Sequence, residues 1–296
     1  MLEPKDIDVV IYHDPCPDGS GAAMVAKYYY QQYPSIKIIE YYPMKVGTHL
    51  TREFKNKNIL LADLPLSLED TNNLRENNRI LIIDHHKTNK DNVVHLSETE
   101  FIFDMNKSGA MLVWEWYFSI WEAPTFIKYI QDRDLWRNSL DNIELFGAWI
   151  RSLQPNPETY LQFLDNDLFT HTVTVIGPKL LEYNQYLIET TLRQSKSENI
   201  KINGIDYSVA HVNSTVLQSE IGCALLSHYP TVDFAYVYYH DDSDDTFNYS
   251  LRSEDTRQDV SEIAKFYGGG GHRNAAGIQS QHLAKLGDFV FENKNE

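Results

Sequence analysis

An aspartate and two histidines stand side by side in the first half of this chain. Asp84, His85 and His86 come directly after four aliphatic residues at positions 80–83. That run is too short for a helix and is bounded by polar residues, which is typical of a strand buried on both faces in a parallel sheet. The three polar residues alone leave open a metal site, a general base with the residue that orients it, or a polar turn.

Other apolar runs in the chain also lead into residues of this kind. Residues 8–12 lead into His13, and residues 58–62 lead into Asp63. Because ligands bind at the carboxyl ends of the strands in open α/β sheets, we expect these side chains to gather at one edge of a sheet. This recurrence favours a functional site over a polar turn at residues 84–86.

The segment after His13 is predicted to be a loop followed by the start of a helix. Small residues at positions 19–23 let a backbone and a ligand approach closely, and a helix N-terminus favours anions. Asp132 and Asp134 follow a further apolar segment at residues 126–130. Taken alone, each of these two aspartates is most simply explained as a surface acid.

Four consecutive glycines at positions 268–271 are followed by His272 and Arg273. Such a segment allows a backbone turn whose amides point into one concavity beside cationic side chains, and this suits phosphate or carboxylate. A flexible linker is the alternative. The continuation into Asn-Ala-Ala-Gly-Ile favours anion binding.

Strands and helices alternate in the first part of the chain, and a β-rich pattern begins after about residue 200. This alternation predicts a mostly parallel, helix-covered sheet. The predicted fold class is α/β, with an N-terminal parallel-sheet domain, a helical linker, a smaller C-terminal α+β domain, and an active-site cleft between the two domains. The predicted limits are residues 1–170, 171–199 and 200–296, with a polar boundary at residues 195–199.

The composition is that of a globular protein, with 42% hydrophobic and 23% charged residues in 296. No apolar run approaches the roughly 18 residues that span a bilayer, and the first residues do not resemble a signal peptide. The two cysteines, Cys16 and Cys223, make a disulfide framework improbable. We therefore expect a cytoplasmic protein without a membrane partner.

The net charge of −16 argues against binding to duplex nucleic acid, since no overall field attracts a phosphate backbone. An acidic protein can still act on a small anion when bound cations reverse the local charge. A nucleic-acid substrate is accordingly expected to be short. The sequence does not fix the oligomeric state, and a homodimer is compatible with it.

The ordered motifs resemble those of the DHH phosphoesterase superfamily. The matching set comprises His-x-x-Cys-Pro-Asp-Gly from His13 to Gly19, Asp63, Asp84-His85-His86, Asp132, Ser-Leu-Arg-Ser at residues 250–253 and the glycine-rich residues 268–277. The last two motifs resemble the DHH-associated domain, and the resemblance covers about residues 8–280. Relatives of this two-domain size include nano-RNases, phosphatases of 3'-phosphoadenosine 5'-phosphate, and dinucleotide phosphodiesterases.

The resemblance implies a role for each matching position. The implied metal ligands are His13, Asp18, Asp63, His85 and Asp132, with Cys16, Asp14 and Asp134 as further candidates. The implied catalytic residues are Asp63, Asp84, His85, His86 and Asp132. The residues implied to hold the substrate phosphate are His86, Arg252, Gly269, Gly270, Gly271, His272 and Arg273. Asp134 is the alternative to Asp132 as the last bridging carboxylate, and the sequence does not choose between them.

This ligand set implies two divalent cations, with Mn²⁺ as the first choice and Mg²⁺ as the alternative, because nitrogen and carboxylate ligands suit both. The chain departs from the family in one place, since Cys16 occupies the position of the first aspartate of an Asp-x-Asp pair. A thiolate is a softer ligand that can change the metal preference. A small packed residue is the alternative role for Cys16.

These features predict a metal-dependent phosphodiesterase that cuts short oligonucleotides or linear dinucleotides to nucleoside monophosphates. A phosphomonoesterase, an exopolyphosphatase or a cyclic-dinucleotide phosphodiesterase would use the same ligands. A non-catalytic nucleotide sensor is the alternative from another class of protein. Metal content and turnover distinguish these hypotheses.

Overall fold

The computed structural model describes most of the chain, in two compact units. The described residues are 1–34, 36–37, 39–87, 89, 96–97, 100–119, 121–281 and 286–287. The two units are Met1–Leu181 and Glu182–Glu296. Among the described residues, no helix combines the length and the apolar character needed to cross a membrane.

The first unit contains a five-stranded parallel sheet with the strand order β2-β1-β3-β4-β5. The strands are β1 Val9–His13, β2 Glu40–Met44, β3 Asn58–Ala62, β4 Arg79–Asp84 and β5 Phe101–Phe103. The predicted α/β class with a parallel N-terminal sheet is confirmed.

The central strands of this sheet are buried on both faces. Leu60 and Leu81 belong to the larger hydrophobic cluster, while Leu61 and Ile82 belong to a second cluster on the opposite face. Successive side chains alternate between the faces, so a continuous aliphatic run fills both clusters. Each fully buried aliphatic side chain contributes about 1.5 to 3 kcal/mol.

Helices connect and cover these strands. They are α1 Pro17–Gln32, α2 Leu68–Asn77, α3 Gly109–Phe118, α4 Thr125–Asp134, α5 Ile143–Ser152, α6 Pro157–Leu161 and α7 Asn166–Leu192. Ser67 and Ser108 begin α2 and α3 as N-caps, each accepting a hydrogen bond from a backbone amide three residues later. The start of α3 is therefore fixed beside the sheet edge that carries the candidate residues.

The second unit contains a six-stranded mixed sheet with the order β10-β11-β9-β8-β7-β6. β7 and β8 are parallel, and the other neighbouring pairs are antiparallel. The strands are β6 Lys196–Ile202, β7 Ile205–Asn213, β8 Phe234–Asp241, β9 Thr246–Arg252, β10 Gly270–His272 and β11 Ala275–Ser280, and the helices are α8 Gln218–His228 and α9 Val260–Phe266. The predicted β-rich second domain is thereby confirmed.

The division between the units falls within α7. Phe169 and Val173 pack in the core of the first unit, whereas Leu187 and Leu192 pack against a core of the second. The polar residues 195–199, predicted as a boundary, contain the start of β6, because an edge strand tolerates charged side chains on its exposed face. The domain limits at residues 170 and 199 stay predictions.

Candidate metal centre

The carboxyl ends of three neighbouring strands bring candidate residues together. His13 is the last residue of β1, Asp63 follows the last residue of β3, and Asp84 is the last residue of β4. These strands are adjacent in the sheet, and their registers end side by side. The expected edge of the sheet therefore carries a cluster of titratable side chains.

Asp63 lies at the centre of this cluster. It is 0% exposed, and neither of its carboxylate oxygens has a hydrogen-bond partner among the described residues. Its backbone is left-handed, with φ +56°, and its amide donates to the carbonyl of Ile83 at 2.9 Å. A non-glycine residue in this conformation carries backbone strain of about 1 to 3 kcal/mol, which the surrounding structure has to sustain.

Gly109, the first residue of α3, permits the position of Asp63. A Cβ atom at residue 109 would lie only 2.4 Å from the Cβ atom of Asp63. Any residue other than glycine would therefore force one of the two backbones to shift. This role of Gly109 was not predicted from the sequence. The sequence pattern that could have indicated this role is Ser-Gly-Ala at residues 108–110, in which a polar capping residue precedes two small residues.

His85 faces three carboxylates through one nitrogen atom. Its Nε2 lies 3.3 Å from Asp63 Oδ1, 3.5 Å from Asp134 Oδ2 and 3.6 Å from Asp18 Oδ2. That nitrogen is buried and has no hydrogen-bond partner in the described part of the chain. Ligand atoms that share a cation at about 2.1 Å stand about 3.0 to 3.4 Å apart, so the 3.3 Å separation lies in that range and the other two slightly beyond it, while all three exceed the length of a good hydrogen bond.

Asp18 connects the first turn of α1 to the start of α3. Its two oxygens accept hydrogen bonds from the amides of Gly109 at 2.6 Å and Ala110 at 2.9 Å. Gly19 is also required, because a Cβ atom there would lie 2.2 Å from the carbonyl oxygen of His13. The His-x-x-Cys-Pro-Asp-Gly motif thus folds so that His13 and Asp18 face the same space.

Asp84 orients the two histidines that follow it. Its Oδ1 accepts hydrogen bonds from the backbone amides of His85 and His86 at 2.7 and 3.2 Å and from His86 Nδ1 at 2.7 Å, and its Oδ2 accepts from Asn89 Nδ2 at 2.6 Å. Burial alone would raise the pKa of Asp84, but the hydrogen bonds from His86 and Asn89 lower it. Asp84 is therefore an ionised positioning group.

Burial and crowding shift the pKa values of the groups in this cluster. Burial, and secondarily the neighbouring Asp18, raise the pKa of Asp63 well above its usual value and that of Asp134 to about 7. Burial and the nearby His86 lower the pKa of His13 to about 4. Burial would also lower the pKa of His86, but the hydrogen bond to Asp84 and the charge of Asp63 raise it to about 9.

Asp132 and Asp134 have different surroundings although they lie two residues apart on α4. Asp132 is 4% exposed and accepts hydrogen bonds from the amide and hydroxyl of Ser139, at 2.9 and 2.5 Å, and from the amide of Leu140. Asp134 forms a possible ligand group with Asp18 and His85. The geometry favours Asp134, the alternative named from the sequence, as the candidate ligand. Asp132 instead stabilises the segment after α4 through its hydrogen bonds with Ser139 and Leu140.

Cys16 lies at the other side of the cluster, where it is the N-cap of α1. It forms a possible ligand group with His13 and Asp63, with all three ligand atoms within 4.8 Å of one another. Burial, and then the charges of Asp63, Asp18 and Asp134, raise the pKa of its thiol. Asp14, the other candidate in this loop, is in none of the three ligand groups found among the described residues.

The donor set fits divalent cations. His13 Nδ1, both oxygens of Asp63 and His85 Nε2 are buried polar atoms for which the described residues supply no hydrogen-bond partner. Buried polar groups in proteins normally have partners, and a cation between these atoms would satisfy them and offset the crowded carboxylates. Imidazole nitrogens with carboxylate oxygens suit first-row divalent metals and Mg²⁺.

Arg252, in the second unit, ends strand β9. Its Nη1 donates to the carbonyl of Leu251 at 2.7 Å, and its Nη2 donates to the hydroxyl of Ser219 on α8. Burial lowers its pKa. Gly222 lets α8 lie against this side chain, since a Cβ atom there would be 2.6 Å from Arg252 Cγ.

The glycine-rich segment forms the edge strand β10 and not a turn alone. Gly270, Gly271 and His272 pair with β11, which in turn pairs with β9 through Arg252. The amide of Gly269 donates to Ala264 at the end of α9, so it is engaged within the protein. The guanidinium of Arg273 likewise donates to the carbonyls of residues 255 and 257. Apart from His86, which lies in the first unit, the predicted phosphate-binding residues thus share one end of the second sheet, and Arg252, Gly269 and Arg273 each have hydrogen-bond partners within the protein.

Comparison with known proteins gives two related sequences. The chain is 31% identical over 292 residues to the uncharacterized protein R106 of Acanthamoeba polyphaga mimivirus. This alignment covers 94% of the present chain and 68% of R106. It is 25% identical over 248 residues to the oligoribonuclease NrnB of Bacillus subtilis, covering 74% of this chain and 58% of that one. No family model matches the chain.

Among solved structures, the pGpG-specific phosphodiesterase PggH from Vibrio cholerae aligns with a TM-score of 0.48 and 15% identity, over 92% of each chain. The exonuclease RecJ bound to manganese aligns with a TM-score of 0.47 and 13% identity, over 93% of this chain and 86% of that one.

The parallel sheet thus carries, at its carboxyl edge, a cluster of histidines and aspartates whose donor atoms suit divalent cations. The chain belongs to the same family as protein R106 of the mimivirus, and its ordered motifs resemble those of the DHH phosphoesterases.

Proposed function

We propose that this protein is a divalent-metal-dependent phosphodiesterase that cuts short oligonucleotides or linear dinucleotides to nucleoside monophosphates. The observation that carries the proposal is the buried Asp63, whose oxygens face His13, His85 and His86 at 3.3 to 3.7 Å. The similarity to the oligoribonuclease of Bacillus subtilis supports the choice of substrate. The net charge of −16 supports a short substrate rather than a duplex.

The proposed cation ligands are His13, Asp18, Asp63, His85 and Asp134, with Asp63 shared between two sites. Two divalent cations held by these residues, with Mn²⁺ as the first choice, would polarise the phosphoryl oxygens and would supply a hydroxide nucleophile at neutral pH. Asp134 replaces Asp132 in this set because the carboxylate of Asp132 is engaged with Ser139 and Leu140.

The remaining residues position these groups and bind the substrate. Asp84 holds the ring of His86 through the hydrogen bond to Nδ1. His86, whose pKa is raised to about 9, then presents a cation for a phosphate oxygen. In the second unit we assign phosphate binding to Arg252 and to the segment from Gly270 to His272. Gly269 and Arg273 are less suited, since both donate to carbonyl groups of the protein, whereas Arg252 keeps a buried Nε for which the described residues supply no hydrogen-bond partner.

A turnover panel tests this proposal. It offers labelled RNAs from two nucleotides upward, a linear and a cyclic dinucleotide, 3'-phosphoadenosine 5'-phosphate and polyphosphate, each with Mn²⁺, Mg²⁺, Zn²⁺ or a chelator. We expect the shortest RNAs and the linear dinucleotide to be consumed fastest with Mn²⁺, and the chelator to stop the reaction. Faster turnover of a monoester, of polyphosphate or of the cyclic compound would overturn the substrate assignment, and binding without any turnover would support a nucleotide sensor instead.

A further inference from the structure

The thiol of Cys16 lies beside two candidate ligands, His13 and Asp63, whose facing atoms form no hydrogen bond with the described residues. Its sulfur, a nitrogen of His13 and an oxygen of Asp63 all lie within 4.8 Å of one another. Asp63 is 0% exposed, and the described residues provide no hydrogen-bond partner for its two oxygens or for His13 Nδ1. The cysteine therefore faces buried atoms of Asp63 and of the partly exposed His13 that have no hydrogen-bond partner in the described part of the chain.

The position of Cys16 at the start of α1 does not by itself explain a thiol at this place. Cys16 is the N-cap of α1, a place where a side-chain oxygen normally accepts a hydrogen bond from the first turn. Within the described part of the chain, its side chain makes no such capping bond. A serine or an aspartate would serve that purpose better, so the cap alone does not explain a cysteine here.

We propose that Cys16 is a metal ligand, and that the group of His13, Cys16 and Asp63 binds a thiophilic cation such as Zn²⁺, Co²⁺ or Fe²⁺ in preference to Mg²⁺. Sulfur, imidazole and carboxylate donors together match such ions, whereas Mg²⁺ prefers oxygen ligands. On binding, the thiol loses its proton to solvent and the thiolate donates to the cation.

The second group of ligands differs in its chemistry. Asp18, His85 and Asp134 offer two carboxylates and an imidazole but no sulfur. This group suits Mn²⁺ or Mg²⁺. The centre is thus asymmetric, with one cation site that contains sulfur and one that does not. The inference deepens the proposed function, because it concerns the metal preference of the same cluster.

Cobalt provides a test that does not depend on catalysis, because a thiolate bound to Co²⁺ gives a charge-transfer absorption in the near ultraviolet. The full-length protein is stripped with a chelator and titrated with Co²⁺, together with Cys16→Ser, Cys16→Asp and Cys223→Ser. Cys223, the other cysteine of the chain, lies exposed on α8 and serves as the matched control. We expect the absorption in the wild type and in Cys223→Ser, and its loss in both Cys16 variants.

A competition between Zn²⁺ and Mn²⁺, followed by metal analysis, gives a second measurement. We expect Cys16→Asp to retain two bound cations while its preference for Zn²⁺ over Mn²⁺ falls by about tenfold or more. Circular dichroism shows whether each variant is folded. An absorption that persists in Cys16→Ser, or a wild type that binds cobalt without the absorption, would overturn the assignment of Cys16.

The failure of this inference is distinguishable from the failure of the proposed function. A protein that shows the cobalt–thiolate absorption but consumes no oligonucleotide keeps Cys16 as a ligand and contradicts the proposed phosphodiesterase. A protein that consumes short RNAs but lacks the absorption keeps the phosphodiesterase and contradicts the ligand role of Cys16. A wild type that binds no cobalt at all contradicts the ligand role as well.

Discussion

Asp63 is a fully buried carboxylate in a left-handed backbone conformation, and its oxygens have no hydrogen-bond partner within the described residues. Each of these features is unfavourable for a residue whose role is only structural. Together they indicate a group that is held ready for a ligand. Its raised pKa has the same origin, since burial and the neighbouring Asp18 both disfavour the ionised form.

We predict that Asp63→Asn lowers turnover of short RNA by at least about 10³-fold while the protein stays folded. Asparagine keeps the size and tolerates the left-handed backbone. Because the pKa of Asp63 is raised in the folded state, its ionisation lowers stability above that pKa, and the neutral amide removes this cost. Urea unfolding in chelator is therefore expected to show an unchanged or higher free energy of unfolding for the variant.

The matched control for this prediction is Asp206→Asn, at an exposed position of β7 in the second unit, where the carboxylate forms a long ion pair with Lys201 at 3.5 Å. Exposed pairs of this kind contribute about 0 to 1 kcal/mol. Both turnover and stability should stay close to those of the wild type. Equal losses of turnover in the two variants would contradict the central role of Asp63.

Asp132 and Asp134 allow a second prediction in which two similar changes have opposite effects. Asp134→Asn is expected to abolish turnover with little change in stability, because Asp134 faces His85 and Asp18. Asp132→Asn is expected to lower the free energy of unfolding by about 1 to 3 kcal/mol and to leave turnover within a few-fold, because it weakens the buried bonds to Ser139 and Leu140. Chemical unfolding measures the stability and initial rates measure the turnover. Loss of turnover in Asp132→Asn but not in Asp134→Asn would show that Asp132, and not Asp134, is the ligand.

The choice between these two aspartates shows where the sequence stops being informative. Residues two positions apart on a helix point to different faces, so only one of them can face the sheet edge. Which one does so depends on how α4 is rotated against its neighbours, and packing of distant segments decides that rotation. The resemblance of motifs supplied the Asp-Arg-Asp segment but not the orientation of the helix that carries it.

At the scale of elements, the strand ends and the start of α3 build the site together. The strand ends could be predicted, because short aliphatic runs followed by polar residues identify the carboxyl edge of a parallel sheet. The contribution of α3 could not be predicted, because the amide of Gly109 donates a hydrogen bond to Asp18, which lies 91 residues earlier in the sequence. Asn89, which donates a hydrogen bond to Asp84, was missed because a single asparagine has many ordinary roles.

Gly109→Ala tests the contribution of α3. The added Cβ atom would lie 2.4 Å from Asp63 Cβ and 2.6 Å from Asp63 Oδ1, so either α3 or Asp63 has to move. We expect a loss of about 1 to 3 kcal/mol in the free energy of unfolding, together with weaker cation binding measured by calorimetry. An alanine that leaves both quantities unchanged would show that the close approach of α3 is not required.

Gly147→Ala on α5 is the control for this variant, since it is another helical glycine in the same unit. Its added Cβ atom would meet only the flexible side chain of Arg133, at 3.3 Å. Alanine also favours the helix by about 1 kcal/mol relative to glycine. This variant should retain cation binding and show unchanged or slightly higher stability.

At the scale of the whole molecule, the proposed cation ligands all belong to the first of the two compact units, Met1–Leu181. A cation that binds the folded state and not the unfolded state stabilises by about 2.7 kcal/mol at a concentration one hundred times its dissociation constant. That stabilisation acts on the elements that hold the ligands. The second unit has its own hydrophobic clusters and contributes none of these ligands.

We therefore predict that adding Mn²⁺ to the chelator-stripped protein slows hydrogen exchange unevenly along the chain. Peptides from α1 and α3 are expected to gain protection, because Asp18 joins these helices to each other at the metal cluster. Peptides from β7 and β8 should exchange at the same rate with and without the cation. Asp63→Asn should remove the effect, since it weakens the ligand shared by the two proposed sites. Equal protection of both units, or none in α1 and α3, would contradict a metal centre confined to the edge of the parallel sheet.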